Sequence, residues 1–581
     1  MHRSIVVLAC FCFLVPPAWS AAAPEAPTGA DKGTPEKIDA PPALPKDFAF
    51  TFSMPYGQAD EFPRDEKEFD RMLGLLKSAG YNTVHCPYEP WRIPLFKKHG
   101  MKMMIDILAW KPPIEADIRR PSQRPKVKAM CLKIKGSDAI WGYNLWNERL
   151  DWCGNFKFLD GWVRMIRTWD PTHPIWVGTY RYLYCEHFPT HQGVCAWYDY
   201  HWSRGFGWNL HMLNFYRKIA AKRRSVMGKW MLIHDYNRNL YTLNTSIAHG
   251  VKVVLWFIGG PYAPREKDLS KRWSEKSHLV RIGRHMQPLY KLIGEIGLPE
   301  AVYATPTRRR ADTNKDKKPG MDANITPFPK DYWLQFSQGE VLAGMFKHPD
   351  GSRIAYVCNQ NAWAWQGAVM DVRQEKGKEV VVSRFNRKTA KWDALGAREI
   401  VNFALPPADA AVFRFATKGG AAIVKDPPVK WDPSANFAKS VTPPAVGVKK
   451  SIKPAIYSTQ TARTADNKPK DPGLPKGATT PPEDFYLTVK QGEALVAVYP
   501  IDKKTDVVVF SNHNAAAWQG MVVDLGQTKE NPVVMSQFED GKWKKLGPWG
   551  DVNFSLEPKG LSVFKFERPG GPKPKPPAPK K

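Results

Sequence analysis

The chain has 581 residues, of which 43% are hydrophobic, with 23 Trp and a formal net charge of +29. It is too long for one ordinary domain and apolar enough to fill two or three cores, which excludes a disordered or fibrous protein. The charge excludes less: much of the excess lies in low-complexity stretches such as Lys573–Lys581, and no nucleic-acid motif accompanies it, so a solvated basic surface with loose attraction to anionic envelope polymers is the reading it supports.

Residues 1–20 read as a secretory signal, with His2 and Arg3 ahead of an apolar run from Ile5 to Val15 and small residues from Ser20 to Ala23. Cys10 lies inside the apolar run, which argues against a lipoprotein anchor. No later segment has about 18 uninterrupted apolar residues, so the expectation is an exported protein, periplasmic or extracellular, with no membrane span. Residues 21–46, rich in Ala, Pro and charge, read as a disordered lead-in. Beyond the signal stand six cysteines, at 86, 131, 153, 185, 195 and 358. Export permits disulfides. Cys153 and Cys185 fall in predicted loops after adjacent strands, where a bridge or two thiols would both fit, and the other four sit in apolar runs as expected buried thiols. No spacing resembles a zinc site, and nothing in the sequence asks for a metal or cofactor.

From Phe48 the pattern alternates. Strand-like runs are Phe48–Tyr56, Asn82–Pro87, Lys102–Trp110, Ile140–Asn147, Pro174–Thr179, Val194–Trp202, Lys229–His234 and Lys252–Gly259. Helical stretches separate them, beginning with Glu66–Gly80, which puts Phe69, Met72, Leu75 and Leu76 on one face, and His278–Ile293 closes the set. Eight such units over residues 47–297 predict an α/β fold, a (β/α)8 TIM barrel. A doubly wound sheet is the alternative, but no Gly-rich phosphate loop follows the first strand.

The second half repeats itself. Ala301–Thr307 returns as Ala455–Thr461, Gln338-Gly-Glu340 as Gln491-Gly-Glu493, and Asn359–Gly367 as Asn512–Gly520, with Trp-Gln-Gly closing each copy. Short alternating runs broken by Asn, Gly and Asp predict two tandem all-β sandwich domains at 298–418 and 453–567. A Pro/Lys-rich linker, 419–452, joins them, and a basic Pro-rich tail, 568–581, follows. Trp365 and Trp518 fit either sugar-stacking platforms or a shared core-and-turn set.

The barrel's fourth strand reads Ile140-Trp-Gly-Tyr-Asn-Leu-Trp and stops on Asn147-Glu148. In a TIM barrel the residues just past the strands' carboxyl ends form the active-site face. Together with Tyr198-Asp-Tyr-His-Trp202 on the sixth strand and Gly250–Trp256 on the eighth, this resembles the clan A glycoside hydrolases, retaining (β/α)8 enzymes whose fourth strand ends in Asn-Glu. The resemblance implies Glu148 as general acid/base, Asn147 on the sugar 2-hydroxyl, Tyr200 and His201 as substrate ligands, and Trp256 as an aromatic under the sugar. The clan's nucleophile is a Glu at the end of strand seven, where this chain has His234-Asp235. Asp is one methylene shorter, so three roles stay open for Asp235: nucleophile in a divergent site, positioning of water for inversion, or no catalysis at all. A cap on the following helix is its structural alternative. Glu89 fits a sugar contact or a turn before proline, and Asp199 fits an orienter of His201 or one half of a buried pair. Trp110, Trp202 and Trp256 fit stacking or barrel packing, and Asp106 fits an interior structural role. No Gly-x-Ser-x-Gly elbow supports a serine hydrolase.

The expectation is an exported glycoside hydrolase-like protein that cleaves β-glycosidic bonds of an oligo- or polysaccharide with two carboxylates. A carbohydrate-binding or envelope protein on a decayed barrel competes with it, and a polyanion-binding structural protein rests on charge alone.

Overall fold

The computed structural model describes residues 42–53, 63–107, 123–146, 156–179, 182–189, 191–198, 205–232, 234–257, 277–321, 325–417, 423, 446–449, 451–465, 467, 469–475, 478–482, 485–527, 532–548 and 550–568. Eight parallel strands close into a barrel in chain order: β1 (Ala49–Ser53), β2 (Thr83–Pro87), β3 (Lys102–Asp106), β4 (Ile140–Trp146), β5 (Ile175–Thr179), β6 (Val194–Tyr198), β7 (Val226–Leu232) and β8 (Val251–Phe257). Closure is made by β1 against β8, with Ala49 opposite Val253 and Ser53 opposite Phe257.

The strands are apolar on both faces because both are covered. Inward side chains, among them Met104, Trp141, Trp176, Trp230 and Leu255, fill the barrel, while the outward ones join the helix layer. Gly228 makes room for the interior Trp176, since a Cβ there would lie 2.3 Å from its ring. Strand β7 starts at Val226, ahead of the predicted Lys229. Lys229 does not break it, because its Nζ reaches Asn209 Oδ1 at 2.5 Å and lies over the Trp197 ring. The first helix, Glu66–Ser78, is capped by Asp65 and buries Leu73 in addition to Phe69, Met72 and Leu76, with Leu75 only half-buried.

Two antiparallel β-domains follow. In the first, a seven-stranded and a three-stranded sheet share a core of Leu334, Val341, Met370, Phe403 and Phe413. The second pairs a six-stranded with a three-stranded sheet around Val496, Phe510, Met521, Phe554 and Phe564.

The helix Tyr236–Ala248 joins barrel to first sandwich and is buried from Asn239 onward. Its Asn244 Nδ2 donates to Ala408 O (2.9 Å), and Tyr356 Oη donates to Asn244 Oδ1 (2.6 Å). Gly344 lies against it so closely that a Cβ would stand 2.0 Å from Ala248 O. Beside this seam Arg387 and His285 hold Asp409 at 2.7 and 3.0 Å. Burial pushes the Asp409 carboxyl up, but the Arg387 guanidinium and the His285 hydrogen bond outweigh it and leave it well below the usual range.

Cys86, Cys131, Cys195 and Cys358 are buried thiols, as their apolar neighbours predict. Burial pushes the first three up to about 12. Cys185 is buried too, and its suggested partner Cys153 lies outside the described residues. Among the described residues no helix is long and apolar enough to cross a membrane.

Candidate functional site at the carboxyl end of the barrel

Four consecutive strands contribute one polar side chain each to the inside of the barrel near its carboxyl end. Ser53 closes β1, His85 lies on β2, Asp106 closes β3 and Asn144 lies on β4. The ladder sets the pairing, with Ser53 beside His85 and Asp106 beside Asn144. Asn144 Nδ2 lies 2.7 Å from His85 Nε2, and an amide nitrogen only donates, so Nε2 accepts. The ring proton is therefore on Nδ1, which donates to Ser53 Oγ at 2.8 Å. Asp106 Oδ2 stands 3.7 Å from Nε2, and the Trp230 ring meets the imidazole edge-on at 6.0 Å.

Burial drives His85 down to about 3, so the ring is neutral at ordinary pH. Ser53, His85 and Asn144 are buried, and Asp106, whose side chain is 11% exposed, is the member nearest solvent. Asn144 Oδ1 and Thr51 Oγ1 are buried without a protein partner. The cluster is thus a neutral, acceptor-rich floor with one carboxylate facing outward. Asp106 ends β3 instead of standing in its middle, since Ile107, whose N–H makes the last bond to Asn144 O at 3.2 Å, is already in a turn.

Asp235 stands at the carboxyl end of β7, at the N-cap of the helix Tyr236–Ala248. Its Oδ1 accepts from Arg238 N at 2.9 Å, its Oδ2 lies 3.3 Å from Arg238 Nε, and its side chain is 44% exposed. Asn239 pins the same turn, since its Oδ1 accepts from His234 N (3.1 Å) and its Nδ2 donates to His234 O (3.2 Å). Local capping chemistry therefore fixes where Asp235 sits. Glu89 is exposed in the turn after β2, and its carbonyl accepts from Arg92 N at 3.0 Å.

Trp256 does not reach the barrel mouth. Its neighbour Leu255 takes the inward position on β8, so alternation turns Trp256 outward, fully buried and edge-on to Phe50 at 5.6 Å. Of the two readings open for it, stacking and packing, this burial fits packing between barrel and helices. Trp110, Asn147, Glu148, Asp199, Tyr200, His201 and Trp202 lie outside the described residues; Asn147 and Glu148 follow β4 directly in the chain.

Sequence reading passed over Ser53, His85 and Asn144. The available signal was a polar residue at an inward position of an otherwise apolar strand, as in Thr83-Val-His-Cys-Pro87. Trp365 and Trp518 are half-buried, and their carbonyls accept side-chain amides from the opposite sandwich. Among the described residues no cluster of three or more His, Cys, Asp or Glu could hold a metal ion.

No family model matches the chain, and no curated protein matches its sequence. Solved structures with a similar shape include a glycoside hydrolase family 5 protein from Bacteroides vulgatus, at 12% identity and TM-score 0.41, covering 63% of this chain and 89% of that one. An Anoxybacillus α-amylase aligns at 10% identity and TM-score 0.37, covering 64% and 98%. A GH51 arabinofuranosidase from Xanthomonas axonopodis pv. citri aligns at 10% and 0.35, covering 65% and 98%. All three are glycoside hydrolases, but at such scores the fold rests on the barrel's own strand pairing.

Proposed function

We propose that the protein is an exported glycoside hydrolase acting on β-linked oligo- or polysaccharide, with its site at the carboxyl end of the barrel. The observation that carries this reading is the strand order. In the closed barrel Ile140–Trp146 is the fourth strand and Val226–Leu232 the seventh. Asn147-Glu148 follows the fourth directly, and Asp235 stands just beyond the seventh. Glu148 is the general acid that protonates the leaving glycosidic oxygen and then, as carboxylate, takes a proton from water. Asp235 is the second carboxylate, and Asn147 binds the sugar 2-hydroxyl. Export follows from the signal-like residues 1–20, and the net charge of +29 adds loose attachment to anionic polymers outside the cell.

One observation favours a second reading, a barrel that binds sugar without cleaving it. Both Asp235 oxygens are engaged by Arg238 at the head of a helix, a duty that needs no substrate. Hydrolysis assays with Glu148→Gln and Asp235→Asn separate the two. Turnover lost in both variants supports the enzyme, whereas sugar binding without turnover in the wild type supports the binding protein.

A further inference from the structure

The two sandwiches meet through the residues that the sequence repeats. Gln338 Nε2 donates to Trp518 O at 3.0 Å, and its repeat equivalent Gln491 donates to Trp365 O at 2.9 Å. Arg309 Nη2 donates to Lys490 O at 2.9 Å, and its equivalent Arg463 donates to Ser337 O, the position that matches Lys490. Gly367 and Gly520 complete the set. A Cβ on Gly367 would lie 2.1 Å from Trp518 O, and a Cβ on Gly520 would lie 2.3 Å from Trp365 O.

Each of these contacts therefore has a mirror contact under exchange of the two repeats. That is the signature of an isologous interface, in which one patch recognises another copy of itself. Neither sandwich needs the other to close its core, because the two cores share no residue. The contact uses Gln and Arg side chains, backbone carbonyls and bare glycines that both repeats carry, so either repeat can present it to a chain with the same motif.

We propose that this face is a self-recognition surface whose alternative occupant is the equivalent sandwich of a second copy of this chain. The first sandwich of one molecule takes the second sandwich of another, and the exchange gives a swapped dimer. Ile423 still bridges to Ala397 of the first sandwich, and Val446 is buried in the second, so the connection that can swing is 424–445, whose extended reach is about 70–80 Å. The residues that make this contact, Gln338 and Gln491, Arg309 and Arg463, and Gly367 and Gly520, are ones that the sequence repeats, whereas Cys358 and Ser511, which take no part in it, differ.

The test uses the whole protein with a protease site placed inside 424–445, between the segments packed on each sandwich. After cleavage the C-terminal piece stays with the barrel piece on size exclusion, and mixing with an equal amount of isotope-labelled cut protein distributes the label between both populations by native mass spectrometry. Gly367→Ala with Gly520→Ala weakens the association on the order of tenfold or more, while circular dichroism shows both pieces folded. Separation of the wild-type pieces after cutting would overturn the proposal. So would undiminished association in the double variant, or retention with no exchange of label over days.

Discussion

On the β1–β4 side of the barrel mouth, Ser53, His85, Asp106 and Asn144 face one another inside the wall. On the β7 side, Asp235 stands outside it at the head of a helix. The helix cap has a structural duty that explains the residue by itself: a short side chain must accept from Arg238 N, and Asp, Asn or Ser would serve. The interior cluster has no such excuse. An apolar filling of the same volume would be at least as stable, and leaving Asn144 Oδ1 and Thr51 Oγ1 without partners costs about 1–3 kcal/mol each. Where a fold gives up stability without a local reason, chemistry or ligand binding is the reason to look for. Asp106, at the solvent end of the cluster, is where that search starts.

The largest expected effect is on turnover. Glu148→Gln lowers kcat about 100- to 10,000-fold on any cleaved glycoside, measured as release of a chromogenic aglycone. Next comes the seam under the β7 side. Gly344→Ala drives a methyl into Ala248 O and destabilises the chain by about 1–3 kcal/mol, read as a lower urea midpoint.

Asp235 is tested by a pair of variants. Asp235→Ala removes the cap and costs about 1 kcal/mol, whereas Asp235→Asn keeps it and leaves stability within about 0.5 kcal/mol. Loss of activity in Asp235→Asn with stability kept therefore isolates the charge from the cap. Full activity in Asp235→Asn would leave Asp235 a capping residue only.

The smallest effect separates the sides by pH. Burial holds His85 and His249 near 3 and His513 near 4. The unfolded chain takes up their protons near the ordinary value of about 6.5, and the folded chain refuses them until far lower pH. The unfolded state thus binds more protons in between, and stability falls as pH drops from about 6.5 toward 4. His85→Gln makes that fall shallower in a melting-temperature series, and an unchanged slope would place a charged imidazole in the native barrel.

Strand number, order and type were legible because parallel barrel strands are apolar almost throughout and helices of regular period separate them. The boundaries were less so. Strand β3 ends at Asp106 although the predicted run goes on to Trp110, and β7 starts at Val226 ahead of the predicted Lys229, since periodicity does not register where hydrogen bonding starts or stops. For Trp256 the sequence leaves stacking and packing both open, because a run apolar on both faces hides which residue points inward. The polar floor went unread for a related reason: Ser53, His85 and Asn144 are far apart in sequence, and only the register brings them together. The Asn-Glu motif needed no tertiary information, because it is contiguous.

The most direct test is hydrolysis of a panel of chromogenic β-glycosides and plain polysaccharides by the mature protein, with Glu148→Gln beside it. The account predicts turnover on at least one substrate and its loss in the variant. Turnover that survives Glu148→Gln undiminished, or sugar binding with no turnover on any substrate, would contradict it.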